Sequence, residues 1–511
     1  MNGGFIMTLS RRDFLKIGGA SCLVAGAGAL AGCSPAGEQK ATEPVSAGAD
    51  TGEGLAGYAP VNFTEETEIL IIGTGYAGLG AAMAPALAGK KIVMVDKQVQ
   101  PGGDSATSCC FMFANGTELQ KAAGNTTTIE DAWEAAKERQ LKGHEGVEWY
   151  EEWAKGKYFA MTKFVDSAIN DFGAKYQAPC TAEELPRLSA TVILPEGGIG
   201  TGGPNLIVPI SAKLKELGVE TKLSLRATNL IKNTEGAVIG CRFQDENSGK
   251  ITDIKADAVV LATGGFADNG EMVAQYLPAW ANIGQMVHGC VGEGHKMAVA
   301  AGAKLDGMDT SFTYCNLMGD IPNCTTWGYW TPVLLVLPNG KRFIEEAQSH
   351  DAAQAALDNG YTQWWSIFDQ RAFDARAIGT SVEGNIKTHE DVYVKADTVE
   401  ELAAGMDVPV DNLVATFDRY AELVAGGEDT DFGKKAWLDT LQPPYHALKL
   451  NVCRYKTSGG LVVGPNNLVL DTQDQEIPGL YACGALTTES RASVSTCMAT
   501  GYFVGESLAA L

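Results

Sequence analysis

The run Glu68-Ile-Leu-Ile-Ile-Gly73-Thr-Gly75-Tyr76-Ala77-Gly78 leads an apolar stretch into the spacing G-x-G-x-x-G. Each glycine has a physical task. Gly73 permits a tight turn, Gly75 lets the backbone approach a pyrophosphate, and Gly78 lets the following helix pack on the strand. A helix opening there turns free N–H groups and its positive dipole end toward phosphate. Residues 79–88 read as that helix, and Lys91-Ile-Val-Met-Val-Asp96 as a second strand. Asp96 follows Gly73 by 23 residues, at a strand end, where a carboxylate accepts from a ribose hydroxyl. Strand, helix, strand and acid predict a dinucleotide site that includes Gly73, Gly75, Tyr76, Ala77, Gly78, Asp96 and Lys97. A glycine turn serving packing only is the alternative.

Three further segments bear on which dinucleotide. Pro101-Gly102-Gly103-Asp104-Ser105 follows the second strand directly. Residues 256–266 form an apolar run ending in Ala262-Thr263-Gly264-Gly265. Ile477-Pro-Gly479-Leu-Tyr-Ala-Cys-Gly484 lies near the C-terminus. In this order they resemble the FAD-binding domain of the fumarate reductase/succinate dehydrogenase flavoprotein superfamily. That group includes flavocytochrome-type fumarate reductases, urocanate reductase and 3-ketosteroid dehydrogenases. Gly292-Glu-Gly294, Pro338-Asn-Gly340-Lys-Arg342-Phe343 and Thr457-Ser-Gly459-Gly460 look like its later elements. The resemblance covers about residues 66–511. It implies non-covalent FAD, held also by Gly102, Gly103, Asp104, Ser105, Ala262, Thr263, Gly264 and Gly484. A last helix over about 494–510, begun by Ser493, is expected to aim its N-terminus at the flavin, with Ser495 and Thr496 adding hydrogen bonds. Simple capping of a C-terminal helix is the other reading of those residues.

The elements that must position these groups make an α/β fold. A discontinuous Rossmann-like FAD-binding domain is expected at 66–275 and 440–511, with an inserted α+β capping domain at 276–439. Strand-like runs at 223–230 and 237–244 bracket the turn Asn233-Thr-Glu-Gly236, and 128–177 reads as helical.

The resemblance also implies hydride transfer at flavin N5 to or from a CH–CH bond, yet the superfamily's clamp for a small dicarboxylate is largely absent. The segment Gln348-Ser349-His350-Asp351 puts His350 where fumarate-type members carry an arginine acid. Thr325-Thr326 replaces a Thr-Glu pair, and Tyr455 or Lys456 stands where a histidine precedes the second glycine pair. Arg491 is the nearest candidate for the C-terminal arginine. The tyrosine that ketosteroid dehydrogenases carry before the last helix is missing too, and Ala485 replaces a customary glutamate. The donors left for a carbonyl are Tyr314, Tyr329, His350, Tyr455, Lys456 and Arg491, with Trp327 and Trp330 as an aromatic wall. The expected activity is reduction of an activated C=C bond, enone or acrylate type, in an organic acceptor. The reverse dehydrogenation and a flavin electron carrier without small-molecule turnover are the alternatives.

Ser10-Arg11-Arg12-Asp13-Phe14-Leu15-Lys16 and the small apolar run to Ala31 resemble a twin-arginine export signal. Leu30-Ala31-Gly32-Cys33 resembles a lipobox, which would make Cys33 the lipidated N-terminus; a plain signal peptide is the alternative. Residues 1–33 are thus expected to be a leader and 34–65 a flexible tether. The protein would be a cell-surface or periplasmic lipoprotein that meets the membrane only through that anchor. Electrons would come from a separate membrane cytochrome or flavoprotein. A net charge of −23, from 39 basic and 62 acidic residues, disfavours nucleic acid and anionic lipid surfaces. The twelve cysteines show no C-x-x-C and no zinc spacing, so no metal is expected. Cys109-Cys110, close to the glycine motif, stays open as a redox couple.

Overall fold

A computed structural model describes residues 60–108, 112–144, 146–177, 192–193, 195, 202–285, 288–309, 317–318, 321–322, 332–346, 352–376, 386, 392–454, 456–489 and 493–511. The leader and residues 34–59 of the expected tether lie outside this set, while residues 63–65, placed in that tether from sequence, already form the start of the first strand. The first strand, β1 (Phe63–Ile72), alternates half-buried and exposed side chains at its start and is buried throughout at its end. That change marks where the sheet becomes covered on both faces, as parallel sheets are. Helix α1 (Tyr76–Leu87) then leads to β2 (Ile92–Val95), parallel to β1.

The parallel core of the eight-stranded sheet runs Glu220–Lys222, β2, β1, Ile251–Leu261, Glu476–Ala482. Leu468–Leu470 adds an antiparallel edge. The hairpin Leu225–Lys232 and Val238–Asp245 packs antiparallel onto the first half of Ile251–Leu261. Its turn is closed by the Ala237 amide donating to Asn233 Oδ1 at 2.9 Å, as the Asn–Gly signal predicts. Strand alternation sends Ile69, Ile71 and Met94 to one core and Leu70, Ile72 and Val93 to the other.

The last helix, Val494–Ala509, crosses α1 at backbone contact. A Cβ on Gly501 would sit 2.2 Å from the Ala77 carbonyl oxygen, and one on Gly80 2.9 Å from the Tyr502 nitrogen. The expected helical excursion consists of Ile129–Leu141 and Glu148–Asn170. The second of these grips the entry to the last helix. Lys157 Nζ and Tyr150 OH both donate to Glu489 Oε2, at 2.7 and 3.0 Å, and the ammonium lies 4.5 Å over the Trp153 ring.

A second, six-stranded antiparallel sheet runs Ile321–Pro322, Leu317–Met318, Tyr445–Asn451, Gln363–Asp369, Val333–Val336, with Tyr393–Ala396 also paired to Tyr445–Asn451. Residues 445–451 therefore belong with this sheet, past the boundary expected at 440. Their Leu448 and Leu450 complete the core around Trp364 and Phe368. Among the described residues no helix is long and apolar enough to cross a membrane.

The loop of Arg342 and Phe343 is anchored by a buried ionic cluster. Arg342 forks onto Glu346 at 2.8 and 3.0 Å and reaches Asp429 Oδ2 at 2.8 Å, while Lys434 Nζ lies 3.2 Å from Glu346 Oε2. Tyr420 and Phe432 face the guanidinium at 5.0 and 4.9 Å. Burial alone would raise the Asp429 pKa, but the Arg342 hydrogen bond and charge, with the Phe432 and Lys434 amides, bring it down to about 2. A depressed carboxylate pKa contributes stability above the unfolded-state value, near 3.9, and loses it as pH falls toward 2. Asp429→Asn is expected to lower the melting temperature at pH 7 and to flatten its fall between about pH 4 and 2. Calorimetry across that range tests this, and an unchanged acid slope would contradict it.

Candidate active site

The turn after β1 is built by close backbone approach. The Gly73 amide donates to Val95 O at 2.8 Å, its φ is +109°, and a Cβ there would lie 2.3 Å from Ala262 O. A Cβ on Gly78 would fall 1.9 Å from Gly73 O, so the helix start can sit on the turn only without side chains. Gly75 occupies the N-cap of α1 and makes no side-chain cap, and the first turn carries no acidic residue. The positive end of α1 is thus left without a protein anion. Ser105 Oγ accepts from the Tyr76 amide at 3.0 Å and ties the following loop to the helix.

Asp96 organises the floor. Its Oδ2 accepts from the Thr74 amide and hydroxyl at 2.8 and 2.6 Å, and its Oδ1 from the Gln98 amide at 2.9 Å. Thr74 Oγ1 in turn accepts from the Gly102 amide at 3.1 Å. One chain of bonds therefore fixes the strand end, the glycine turn and the Gly102–Ser105 loop together.

These parts border a cleft with about 1210 Å³ of empty space, its open mouth included. Gly73, Gly75, Tyr76, Ala77, Asp96, Lys97, Gly102, Gly103, Asp104, Ser105, Ala262, Thr263, Gly264 and Lys456 line it. Gly78 and Gly484 are not among the lining residues. Gly78 packs under Gly73, and a Cβ on Gly484 would lie 2.6 Å from that of Ala77. Ser495 and Thr496 do not line it either, since the protein uses them internally. Ser495 Oγ accepts from the Phe113 amide at 2.8 Å, and the Thr496 amide donates to the Ser493 cap at 3.2 Å. Their neighbours Val494 and Cys497 face the cleft instead. Tyr314, Tyr329, His350, Tyr455 and Arg491 lie outside the described residues, as do Trp327, Trp330, Cys109 and Cys110.

Several lining residues escaped the sequence reading. Glu293 receives both Lys97 and Arg226, so the Lys97 ammonium is already paired. The Cys290 thiol donates to Asp104 Oδ2 at 2.8 Å. Burial raises the Asp104 pKa, opposed in part by that thiol and by the Lys456 charge. Burial, then the Asp104 charge, pushes Cys290 well above the usual thiol range, so it stays protonated as a donor. Thr457 Oγ1 accepts from the Phe266 amide at 3.0 Å and locks the second glycine pair to the returning chain. His295, directly after Gly294 and not itself on the cleft, is buried against Phe266, and burial lowers its pKa to about 4, so it is neutral. Among the described residues, no group of His, Cys, Asp and Glu is arranged to hold a metal.

The cleft fits a dinucleotide on its own evidence. Thr263 Oγ1 is buried there without a hydrogen-bond partner, the α1 N-cap residue Gly75 supplies no side-chain cap, and side chains at Gly73 and Gly102 would collide with their surroundings. A parallel α/β sheet with a glycine turn, a strand-end acid and a cleft across them defines a dinucleotide-binding protein. The family model described as FAD binding domain matches residues 68–495, and the chain belongs to that family. It is an FAD-dependent oxidoreductase. A probable fumarate reductase, Ifc3, from Shewanella frigidimarina is 30% identical over 83% of this chain and 70% of its own length. Vinyl phenol reductase from Lactiplantibacillus plantarum is 27% identical over 82% of this chain and 89% of its own. The open conformation of a flavocytochrome c3 fumarate reductase superposes with a TM-score of 0.67 at 28% identity, covering 88% of this chain and 79% of that one.

Gly75→Val puts a branched side chain on the cleft wall, where even a Cβ lies 3.2 Å from Ser105 Oγ. The purified variant is expected to keep its circular dichroism and lose its yellow colour. Thr263→Val keeps shape and removes one donor, which should weaken FAD about 5–10-fold in reconstitution titrations. Equal affinity would show that the hydroxyl does not face the cofactor.

Proposed function

We propose that this protein reduces an activated C=C bond of an organic acceptor. Bound FAD would supply a hydride to one carbon, and a proton from the protein or water completes the saturated product. The two electrons consumed come from a separate donor. The observation carrying this reading is the placing of Lys456 on the same cleft as the Gly73–Gly78 turn. A cation there stabilises negative charge growing on a carbonyl conjugated to the double bond, an effect worth about 3–4 kcal/mol per well-placed donor. The N-terminus of Val494–Ala509, capped by Ser493, adds a positive end beside Val494 and Cys497. Cys290 and Asp104 fix that wall of the cleft through a neutral donor and a buried acceptor.

Under this reading the second sheet, with residues 276–451, covers the reacting end and excludes water. His350 and Arg491 stand as proton donor and carbonyl anchor, with Tyr455, Tyr329 and Tyr314 as further donors. The relatives named for fumarate and vinyl phenol reduction support C=C reduction as the direction. Export by the twin-arginine route, a lipid at Cys33 and a membrane-side electron donor complete the proposal.

Anaerobic single-turnover mixing tests it. Dithionite-reduced holoenzyme is mixed with enones, aryl acrylates, urocanate and fumarate. Reoxidation by one class is expected, and His350→Ala should slow it ~10²-fold or more while FAD stays bound. Bleaching of the oxidised enzyme by a saturated ketosteroid would instead establish the dehydrogenase direction. Neither response, with fast exchange to a cytochrome, would establish an electron carrier.

A further inference from the structure

Four cationic residues among those described are almost wholly buried: Lys157, Arg242, Lys434 and Arg454. Three of them meet carboxylates. Lys157 lies on Glu489 at 2.7 Å, Arg242 forks onto Asp253 at 2.7 and 2.8 Å, and Lys434 reaches Glu346 at 3.2 Å. Arg454 is the exception. Its residue is 8% exposed, and its Nε and Nη1 atoms are buried without a hydrogen-bond partner. Nη2 donates to the neutral amide oxygen of Gln285 at 2.9 Å. A buried guanidinium without a counter-ion is costly, and the cost is removed when an anion arrives.

Its position is next to the cleft, though neither it nor Gln285 is among the lining residues. Arg454 lies on the crossing from the second sheet back to the first, and Gln285 lies on the crossing outward. The two pair as an isolated parallel bridge, with the Arg454 amide donating to Gly284 O at 2.7 Å. Just downstream of each crossing the chain lines the cleft, at His288–Cys290 and at Lys456–Thr457. Gln285 itself is exposed, so its amide can swing aside and expose the fork.

We propose that Arg454 is the anion-binding residue of the acceptor site, and that the acceptor carries a carboxylate beside its C=C bond. This rests on the reductase reading above and narrows it to enoates over neutral enones. A carboxylate supplies the missing counter-ion and accepts charge-assisted hydrogen bonds from the open N–H groups. A ketone or amide oxygen leaves the charge uncompensated. Lys456, two residues on, then remains for the charge that develops during reduction.

Binding of non-reducible acids to oxidised holoenzyme tests the proposal. Propanoate, 3-phenylpropanoate and 3-(imidazol-4-yl)propanoate are each titrated against the corresponding amide by calorimetry, in the natural protein, Arg454→Met and Arg454→Lys. At least one acid is expected to bind about 100-fold tighter than its amide. Arg454→Met should erase that ratio while leaving amide binding and FAD content unchanged. Its ligand-free melting temperature should hold or rise, since an unpaired buried charge is gone. Should Arg454→Met fail to fold, Arg454→Lys carries the test, with an acid-to-amide ratio reduced at least tenfold. If no acid is preferred, or the ratio survives either substitution, the proposal is overturned. Anaerobic mixing of the reduced enzyme with cinnamate and cinnamamide separates the two readings. Acid-selective binding without any reoxidation sinks the reductase reading and leaves the anion site standing. Reoxidation by both at equal KM sinks the anion site alone.

Discussion

The molecule depends on three stretches of backbone meeting with no side chain between them. Gly73 presses on Ala262, Gly78 on Gly73, and Gly501 on Ala77. Together these contacts stack the glycine turn, the end of Ile251–Leu261, and the two helices α1 and Val494–Ala509. A Cβ at any of them would drive an atom inside van der Waals contact of a carbonyl. The cost is not local, because the same backbone atoms form the floor of the cleft. Chain ends far apart in sequence, near residues 75 and 495, are thereby brought to one cavity, each offering the positive end of a helix.

Charge inside the protein follows a consistent rule. Carboxylates that leave bulk water are engaged: half-buried Asp96 by amides and a hydroxyl, half-buried Glu293 by two cations, and buried Asp429 and Glu346 by Arg342. These pairs are structural, and most of them hold loops whose far ends reach the cleft. Against that background an unpaired guanidinium at the crossing between sheets is informative, because burying it gains nothing for the fold.

The sequence made the local parts legible. The turn, the strand-end acid at Asp96, the Asn233–Gly236 hairpin and the Ser493 cap each depend on neighbours within a few residues, so spacing alone exposes them. What stayed hidden depends on distant partners. Nothing near Glu293 announces Lys97 and Arg226, and nothing near Cys290 announces Asp104. Ser495 and Thr496 looked available because their bonds to Phe113 and Ser493 form only once the helix is seated. The pairing of Tyr445–Asn451 with the second sheet depends on partners some eighty residues back in the chain, Gln363–Asp369, and so leaves no mark on the local sequence. Arg454 carried no signal at all, since its distinction is the absence of a carboxylate partner.

The two crossings meet side by side, with the Arg454 amide donating to Gly284 O at 2.7 Å and its side chain to Gln285 at 2.9 Å. The whole six-stranded sheet, then, is an excursion whose ends meet almost at the point of departure. Closing such a loop costs chain entropy that grows only slowly with its length. The parallel core can therefore tolerate excursions of very different size at this point without moving its own strands. That geometry lets one cofactor cradle serve many guests, each admitted by whatever is spliced in between.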